Sequence, residues 1–315
     1  TKTSLIEYLK NNFEEKYHEK IEIFIKYPNE TNEIKSFIDE NKDKLNNLLD
    51  KVKILDPAIG SGAFPVSILL NILKIKETLN PDLDRAETKR KIIENSIYGV
   101  DIEQGAVDIA RLRFWLSLII DEKEIKPLPN LDYKIVCGDS LLTKFENEVI
   151  TIDLKTMTNS NFRRKLDFEL IPEIKRLKEE FFSCIGIKEN LKNQIKKSKI
   201  EIIETFVKDK IESLTKLIKL LKTDLFGITK KEKTELNLKE TEKKYYENIL
   251  NKLEIIRNSD KTLHFFDYNI DFCDVFKLKE VSIITAKKGK ITNNGGFDIV
   301  IGNPPYIRQE NIKEL

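Results

Sequence analysis

Ile54-Leu55-Asp56-Pro57-Ala58-Ile59-Gly60-Ser61-Gly62-Ala63-Phe64 reads as the end of a strand, a glycine turn and the entry of a helix running to about Leu79. The apolar run Val52–Leu55 is too short for a helix, and the glycines stop it where a helical period begins. Two similar units follow. Ile97–Val100 forms a second short run, ending at Asp101 and followed by a helix through Ala106, Ala110, Phe114 and Leu118. Tyr133–Cys137 is a third, closed by Gly138, and a polar segment from Pro81 joins the first unit to the second. Phe297–Ile301 returns to strand character much later. Strands alternating with helices predict an α/β fold with a doubly wound, Rossmann-like sheet, here partial, mainly parallel and four-stranded.

The flanking regions differ in kind. Residues 1–50 read as an N-terminal helical segment. Leu5, Leu9, Phe13 and Tyr17 recur every four residues, and Phe37, Ile38, Leu45, Leu48 and Leu49 make a second face beyond Pro28. Residues 51–150 and 263–315 carry the sheet. Residues 151–262 form a helical insertion between its third and fourth strands. No proline occurs between Pro172 and Pro304, and only Gly186 and Gly227 interrupt residues 151–260. Leu191, Ile195, Ile203, Phe206, Ile211, Leu214, Ile218 and Leu221 trace one helical stripe, and Tyr246, Ile249, Leu250, Leu253 and Ile256 another. They predict two long helices packed as a hairpin, turning within 222–236.

Composition narrows the chemistry. Of 315 residues, 40% are hydrophobic, enough for a packed core, and no run of about 18 apolar residues spans a membrane. No secretory signal opens the chain. Three dispersed cysteines without a CxxC pair fit a reducing cytoplasm and give neither a disulfide framework nor a zinc site. Two histidines leave little room for a His-based triad or metal centre, so no metal is expected. A net charge of +2 says nothing about nucleic acid, because phosphate binding needs clustered charge. Residues 151–260 hold 25 Lys/Arg against 19 Asp/Glu, which is a local excess of that kind.

Four constellations carry chemistry. In the first, Gly60 and Gly62 let a ligand approach the backbone at a helix N-terminus, and the Asp56 carboxylate repels phosphate while suiting an ammonium group. The bland reading is an ordinary strand–helix turn. The second is Asp101 after Tyr98-Gly99-Val100, able to accept from ribose hydroxyls or to cap the next helix. Asp101 lies 39 residues beyond Gly62, against about 20 in the dinucleotide fingerprint, which disfavours NAD. The third is Gly138-Asp139-Ser140-Leu141-Leu142, an acid placed for an exocyclic amine, or simply a turn. The fourth, Asn303-Pro304-Pro305-Tyr306, weighs most. Its prolines fix the backbone so that the Pro304 carbonyl and the Asn303 amide face one point and accept both hydrogens of an amino group. Tyr306 offers a flat face to a planar base.

With Arg111-Leu112-Arg113-Phe114-Trp115-Leu116-Ser117-Leu118 added, these motifs resemble the gamma-type adenine-N6 DNA methyltransferases. More narrowly, they resemble the large methylases of type IIG restriction–modification and phage-defence systems. The resemblance covers most of the chain and is loose over 151–260. It implies S-adenosylmethionine as cofactor, with Asp56 and the Gly60–Gly62 loop around its methionine part and Pro57, Ala58 and Phe64 also cofactor-binding. It also implies Asp101 on the ribose, Ile102 against the adenine ring and Asp139 on the adenine amine. Asn303, Pro304, Pro305 and Tyr306 would be catalytic. The implied partner is double-stranded DNA, whose target adenine is flipped out at a cost of a few kcal/mol. Stacking on Tyr306 returns roughly 1–3 kcal/mol, and catalysis rests on holding the reacting atoms about 3–3.5 Å apart.

The chain departs from that pattern in two ways. Residues 1–50 lack the Tyr-Thr-Pro-type segment that precedes the first strand in family enzymes. No target-recognition domain or nuclease motif is visible either, so the chain is expected to be a fragment, inactive alone, with an exposed sheet edge that invites self-association. Three other readings compete. Protein glutamine-N5 methylation also uses Asn-Pro-Pro-Tyr, but without Pro57 and without the insertion. The others are methylation of a ribosomal RNA base amine, and a non-catalytic module whose basic hairpin docks DNA or a partner.

Overall fold

The computed structural model describes residues 1–28, 34–122, 130–145, 148–150, 159–183, 188–222, 230–259, 263, 265–276 and 295–303. The chain forms two compact units, Thr1–Leu141 with Val275–Leu315, and Leu142–Asp274.

The first unit opens with α1 (Lys2–Lys10), a 3-10 turn (Glu15–Tyr17), α2 (His18–Lys26) and α3 (Lys35–Lys51). The four-residue spacing from Leu5 to Tyr17 implied one continuous helix, and the structure corrects this. At Asn11–Phe13 the backbone tightens to three-residue bonds, Asn12 N to Leu9 O (2.9 Å) and Phe13 N to Lys10 O (3.1 Å). The Asn12 side chain donates to Tyr8 O at 2.8 Å, the local competition that makes asparagine a poor helix interior. The aromatic cluster survives the break, with the rings of Phe13 and Tyr17 5.9 and 5.2 Å from that of Phe37.

Strand β1 (Ile54–Asp56) then leads into α4 (Ala63–Leu79), α5 (Arg85–Ser96), β2 (Ile97–Asp101), α6 (Gln104–Ile119) and β3 (Ile135–Cys137). Helix α5 replaces the polar connection expected after Pro81. Its signal was a capping box: Asp84 accepts from Glu87 N at 2.9 Å, and Asp-x-x-Glu opens a helix whatever the polarity that follows. Strand β6 (Ile299–Val300) returns to the same sheet, whose order is β3-β2-β1-β6 with every pairing parallel. Ile54 pairs with Ile97 and Ile299, and Asp101 with Cys137. Asp298 fixes the join. Its carboxylate accepts from Lys53 N at 2.7 Å and its own N–H donates to Lys53 O at 2.8 Å. Ile68, Leu69, Ile72 and Leu73 of α4 and Val107, Ala110, Phe114 and Leu118 of α6 are buried in the core with the strands. Burying each large aliphatic or aromatic side chain contributes about 1.5–3 kcal/mol.

The second unit begins with a two-residue antiparallel ladder, β4 (Lys144–Phe145) on β5 (Glu148–Val149). Helix α7 (Ser160–Lys165) continues through a π-helical turn (Leu166–Leu170) into α8 (Ile171–Ser183), followed by α9 (Glu189–Lys222), α10 (Lys230–Arg257) and the single turn α11 (Tyr268–Asp271). Ion pairs Lys222–Glu240 (2.6 Å) and Arg257–Glu204 (3.0 Å) run in opposite chain order, so α9 and α10 are antiparallel, as the two apolar stripes predict. The turn between them lies outside the described residues. Lys178 is buried on α8 and donates to the carbonyls of Ile270 (3.1 Å) and Asp271 (2.6 Å); burial lowers its pKa. Among the described residues no helix is long and apolar enough to cross a membrane.

Candidate active site

Asp56, Asp101 and Asp139 end, or directly follow, three neighbouring strands on the carboxyl edge of the sheet. Asn303 follows the fourth, which lies on the other side of β1. In a strand order of this kind the chain reverses direction across the sheet between β1 and β6, and that crevice is where open α/β sheets bind ligands.

The loop after β1 is built around the second acid. Asp101 Oδ2 accepts from Gly60 N at 2.8 Å, and its Oδ1 from Glu103 N at 3.0 Å. Ile59 N donates to Val100 O at 2.9 Å. The first two motifs are thus one hydrogen-bonded object, which their separation in sequence hides. Each Asp101 oxygen keeps a lone pair for a further donor. The N-cap of α6 is Glu103, so Asp101 sits before the helix rather than capping it. Gly62 caps α4 with φ +78°, and a Cβ there would lie 3.3 Å from that of Ala110; a side chain would meet both backbone strain and crowding. Phe64 stands on the first turn of α4, exposed.

Asp56 is 1% exposed. Its Oδ1 accepts from Ala58 N at 3.1 Å, while its Oδ2 is buried with no hydrogen-bond partner among the described residues. Burial, helped by the nearby Asp101 carboxylate and opposed by the Ala58 bond, raises its pKa to about 6. At neutral pH this is a buried, largely ionised carboxylate without a counter-charge among the described residues, a costly arrangement. An ammonium group balances its charge and donates to its unused lone pair, so the residues fit an amino-acid-bearing cofactor. Gly302, which precedes Asn303 in the motif and was given no role from sequence, closes the same point: a Cβ on it would lie 3.1 Å from Asp56 Oδ1 and 3.5 Å from Pro57 Cδ. The glycine in Gly302-Asn303 is needed because β6 delivers its backbone against the first acid.

The third acid is half-buried, and its Oδ1 accepts from Leu141 N at 3.0 Å, an Asx turn. Gly138 N donates to Asp101 O at 2.8 Å, tying this turn to the second. Ile102 is exposed, and its carbonyl accepts from Cys137 Sγ at 3.4 Å. Burial, with Asp101 and Glu103 nearby, raises the Cys137 thiol pKa, so this cysteine is a poor nucleophile. Arg111, part of a motif to which no role was given, clamps β3: its guanidinium donates to Ile135 O at 2.6 Å and pairs with Asp132 at 3.3 Å. Asn303 is exposed beyond β6, and Pro304, Pro305 and Tyr306 lie outside the described residues.

A family model described as the Eco57I restriction-modification methylase matches residues 95–315. A candidate type II restriction enzyme and methyltransferase of Methanocaldococcus jannaschii is 30% identical over 307 residues, covering 87% of this chain. The chain spans 23% of that relative's length. No solved structure matches.

Proposed function

Because the chain belongs to the Eco57I restriction-modification methylase family, we propose that it is the S-adenosylmethionine-binding core, on a Rossmann-like sheet, of a DNA methyltransferase acting on N6 of adenine. The observation that carries the reading is the single sheet edge on which the acids of β1, β2 and β3 stand beside the Asn303 end of β6. Asp56, with its unsatisfied Oδ2, supplies the negative charge behind the Gly60–Gly62 loop that draws the cofactor's ammonium. Asp101 accepts from the ribose hydroxyls, Ile102 and Phe64 give apolar contact, and Asp139 accepts from the adenine amine of the cofactor. Bound there, S-adenosylmethionine supplies a methyl group activated by its sulfonium.

Asn303 and the carbonyl of Pro304 accept the two hydrogens of the target amine. They hold its lone pair toward the methyl and stabilise the positive charge that develops on nitrogen. Pro305 stiffens the turn, and Tyr306 stacks on the flipped base. The division of labour along the chain follows: residues 1–50 buttress the sheet, 51–150 and 263–315 form the methyltransferase core, and 151–262 is an insertion. Double-stranded DNA is the substrate.

The test is methyl transfer from labelled S-adenosylmethionine by the full-length protein to DNA, RNA and protein extract separately, beside Asn303→Ala. Label in DNA adenine, reduced at least a hundredfold in the variant, is expected. Label in protein or RNA instead would move the substrate to glutamine or to a ribosomal base.

A further inference from the structure

The second unit has a recess of its own, of about 570 Å³. One face of α9 forms its floor, where Lys197, Glu201, Glu204 and Lys208 recur at helical spacing. Lys165 reaches it from the end of α7, and Arg257 and Asn258 from the end of α10. Four cations thus face two carboxylates, a net +2 in one concave space.

The pairing inside the recess is lopsided. Both carboxylates are engaged: Glu201 by Lys165 at 2.7 Å, and the buried Glu204 by Arg257 at 3.0 Å. The Thr205 hydroxyl is spent on Glu201 O at 2.7 Å. Donors remain. Lys197 makes no hydrogen bond or ion pair among the described residues, nor does the side-chain amide of Asn258, and Lys208 has only a 3.7 Å approach to Glu204. These three donors are exposed to solvent, and the net positive charge that they leave in the recess attracts an anion. The carbonyl end of α10 opposes an anion with roughly half a charge, less than the net +2. Lys196 also covers that end, donating to Ser259 O at 2.8 Å.

We propose that this recess is a phosphate site that takes the sugar–phosphate backbone of nucleic acid, with Lys197, Lys208 and Asn258 as its donors. Lys197 and Lys208 stand eleven residues apart on α9, about 16 Å along its axis, a spacing that successive phosphates of a backbone meet and a single carboxylate does not. The inference rests on the reading of DNA as substrate, and it adds a contact remote in sequence from the methyl-transfer motifs.

The experiment is binding of a fluorescent DNA duplex to the full-length protein as a function of salt, without cofactor. It compares wild type, Lys197→Gln/Lys208→Gln, and a control with the same charge change farther along α9, Lys216→Gln/Lys219→Gln. The recess variant should bind roughly five- to tenfold more weakly at 0.1 M salt, and its slope of log affinity against log salt should flatten by about 1–2, the signature of one or two lost phosphate contacts. The control should keep the wild-type slope. Equal losses in both variants would reduce the effect to diffuse charge and overturn the site; so would a recess variant that matches wild type. Inorganic phosphate, followed by thermal shift, separates the sources: stabilisation lost in the recess variant while duplex binding is unchanged would assign the recess to free phosphate and refute the backbone contact. Failure of methyl transfer to DNA in the labelling assay, with the slope effect intact, would sink the enzymatic reading and leave the recess standing.

Discussion

Asp56 shows how far one residue can be read before the fold is known. Its position after an apolar run marked it as a strand-end acid, because the strand pattern is local. Its burial, its orphaned Oδ2 and the pressure of Gly302 depend on β6, which arrives some 240 residues later. Those features have a thermodynamic consequence. A carboxyl whose pKa is about 6 when folded, against 3.8 for an ordinary aspartate, binds its proton more tightly in the native state. Its ionisation therefore costs stability, a cost absent below about pH 4 and complete above about pH 6. Asn stands in for the protonated acid. Asp56→Asn should match wild type in thermal stability near pH 4 and exceed it by on the order of 1–3 kcal/mol at pH 7.5, while S-adenosylmethionine binding falls. Calorimetric melts across this pH range, with a parallel cofactor titration, check both halves. A variant less stable than wild type at pH 7.5 would show that the charge is already compensated within the protein. The residue-level readings that failed to appear in sequence, the Gly60–Asp101 bond and the Arg111 clamp, are likewise contacts between segments far apart in the chain.

At the scale of elements, legibility followed periodicity. Helices α4, α6, α9 and α10 were visible because each repeats apolar residues over three turns or more, and β1, β2 and β3 because glycine or an acid stops each apolar run. Helix α5 was missed because most of its residues are polar, so only its cap announced it. Helix α8 lies in the stretch read as a helical insertion but was not marked out as an element of its own, although Ile174, Leu177 and Phe181 mark its buried side; Pro172 is its second residue, directly after the π-helical turn Leu166–Leu170. Strand β6 is only two residues long, too short to hold its place by its own ladder. The Asp298 clasp on Lys53 supplies the missing fixation, and it positions Asn303 five residues further on. Asp298→Ala removes one acceptor for an exposed N–H, so global stability should drop by only about 1 kcal/mol. Hydrogen exchange at Ile299 and Ile301 should nevertheless accelerate at least tenfold, with α9 amides unaffected. Unchanged exchange in β6 would mean that its pairing with β1 suffices alone.

The whole molecule holds two cores, and the boundary between them is where sequence reading was coarsest. Polarity and the lack of proline separated a helical stretch from the sheet, but the second unit also takes in the β4–β5 ladder and the α11 turn, held by buried Lys178. Each unit has its own buried aromatics: Phe24, Phe37, Tyr98 and Phe114 in one, Phe145, Phe181, Phe206 and Phe272 in the other. Cores of this size behave as separate domains when few groups cross between them, and each then unfolds on its own account. Phe206 on α9 is the sharpest probe, because it is fully buried and its truncation leaves a large cavity. Phe206→Ala should cost the second unit about 3–5 kcal/mol, seen as lost exchange protection along α8, α9 and α10. Amides of β1, β2, α4 and α6 should keep wild-type protection, and S-adenosylmethionine affinity should stay within twofold, since every group assigned to the cofactor lies in the first unit. A uniform loss of protection would mean that the two cores open together. The insertion would then be a structural prop for the sheet, and any contact it makes with nucleic acid would be coupled to the cofactor site.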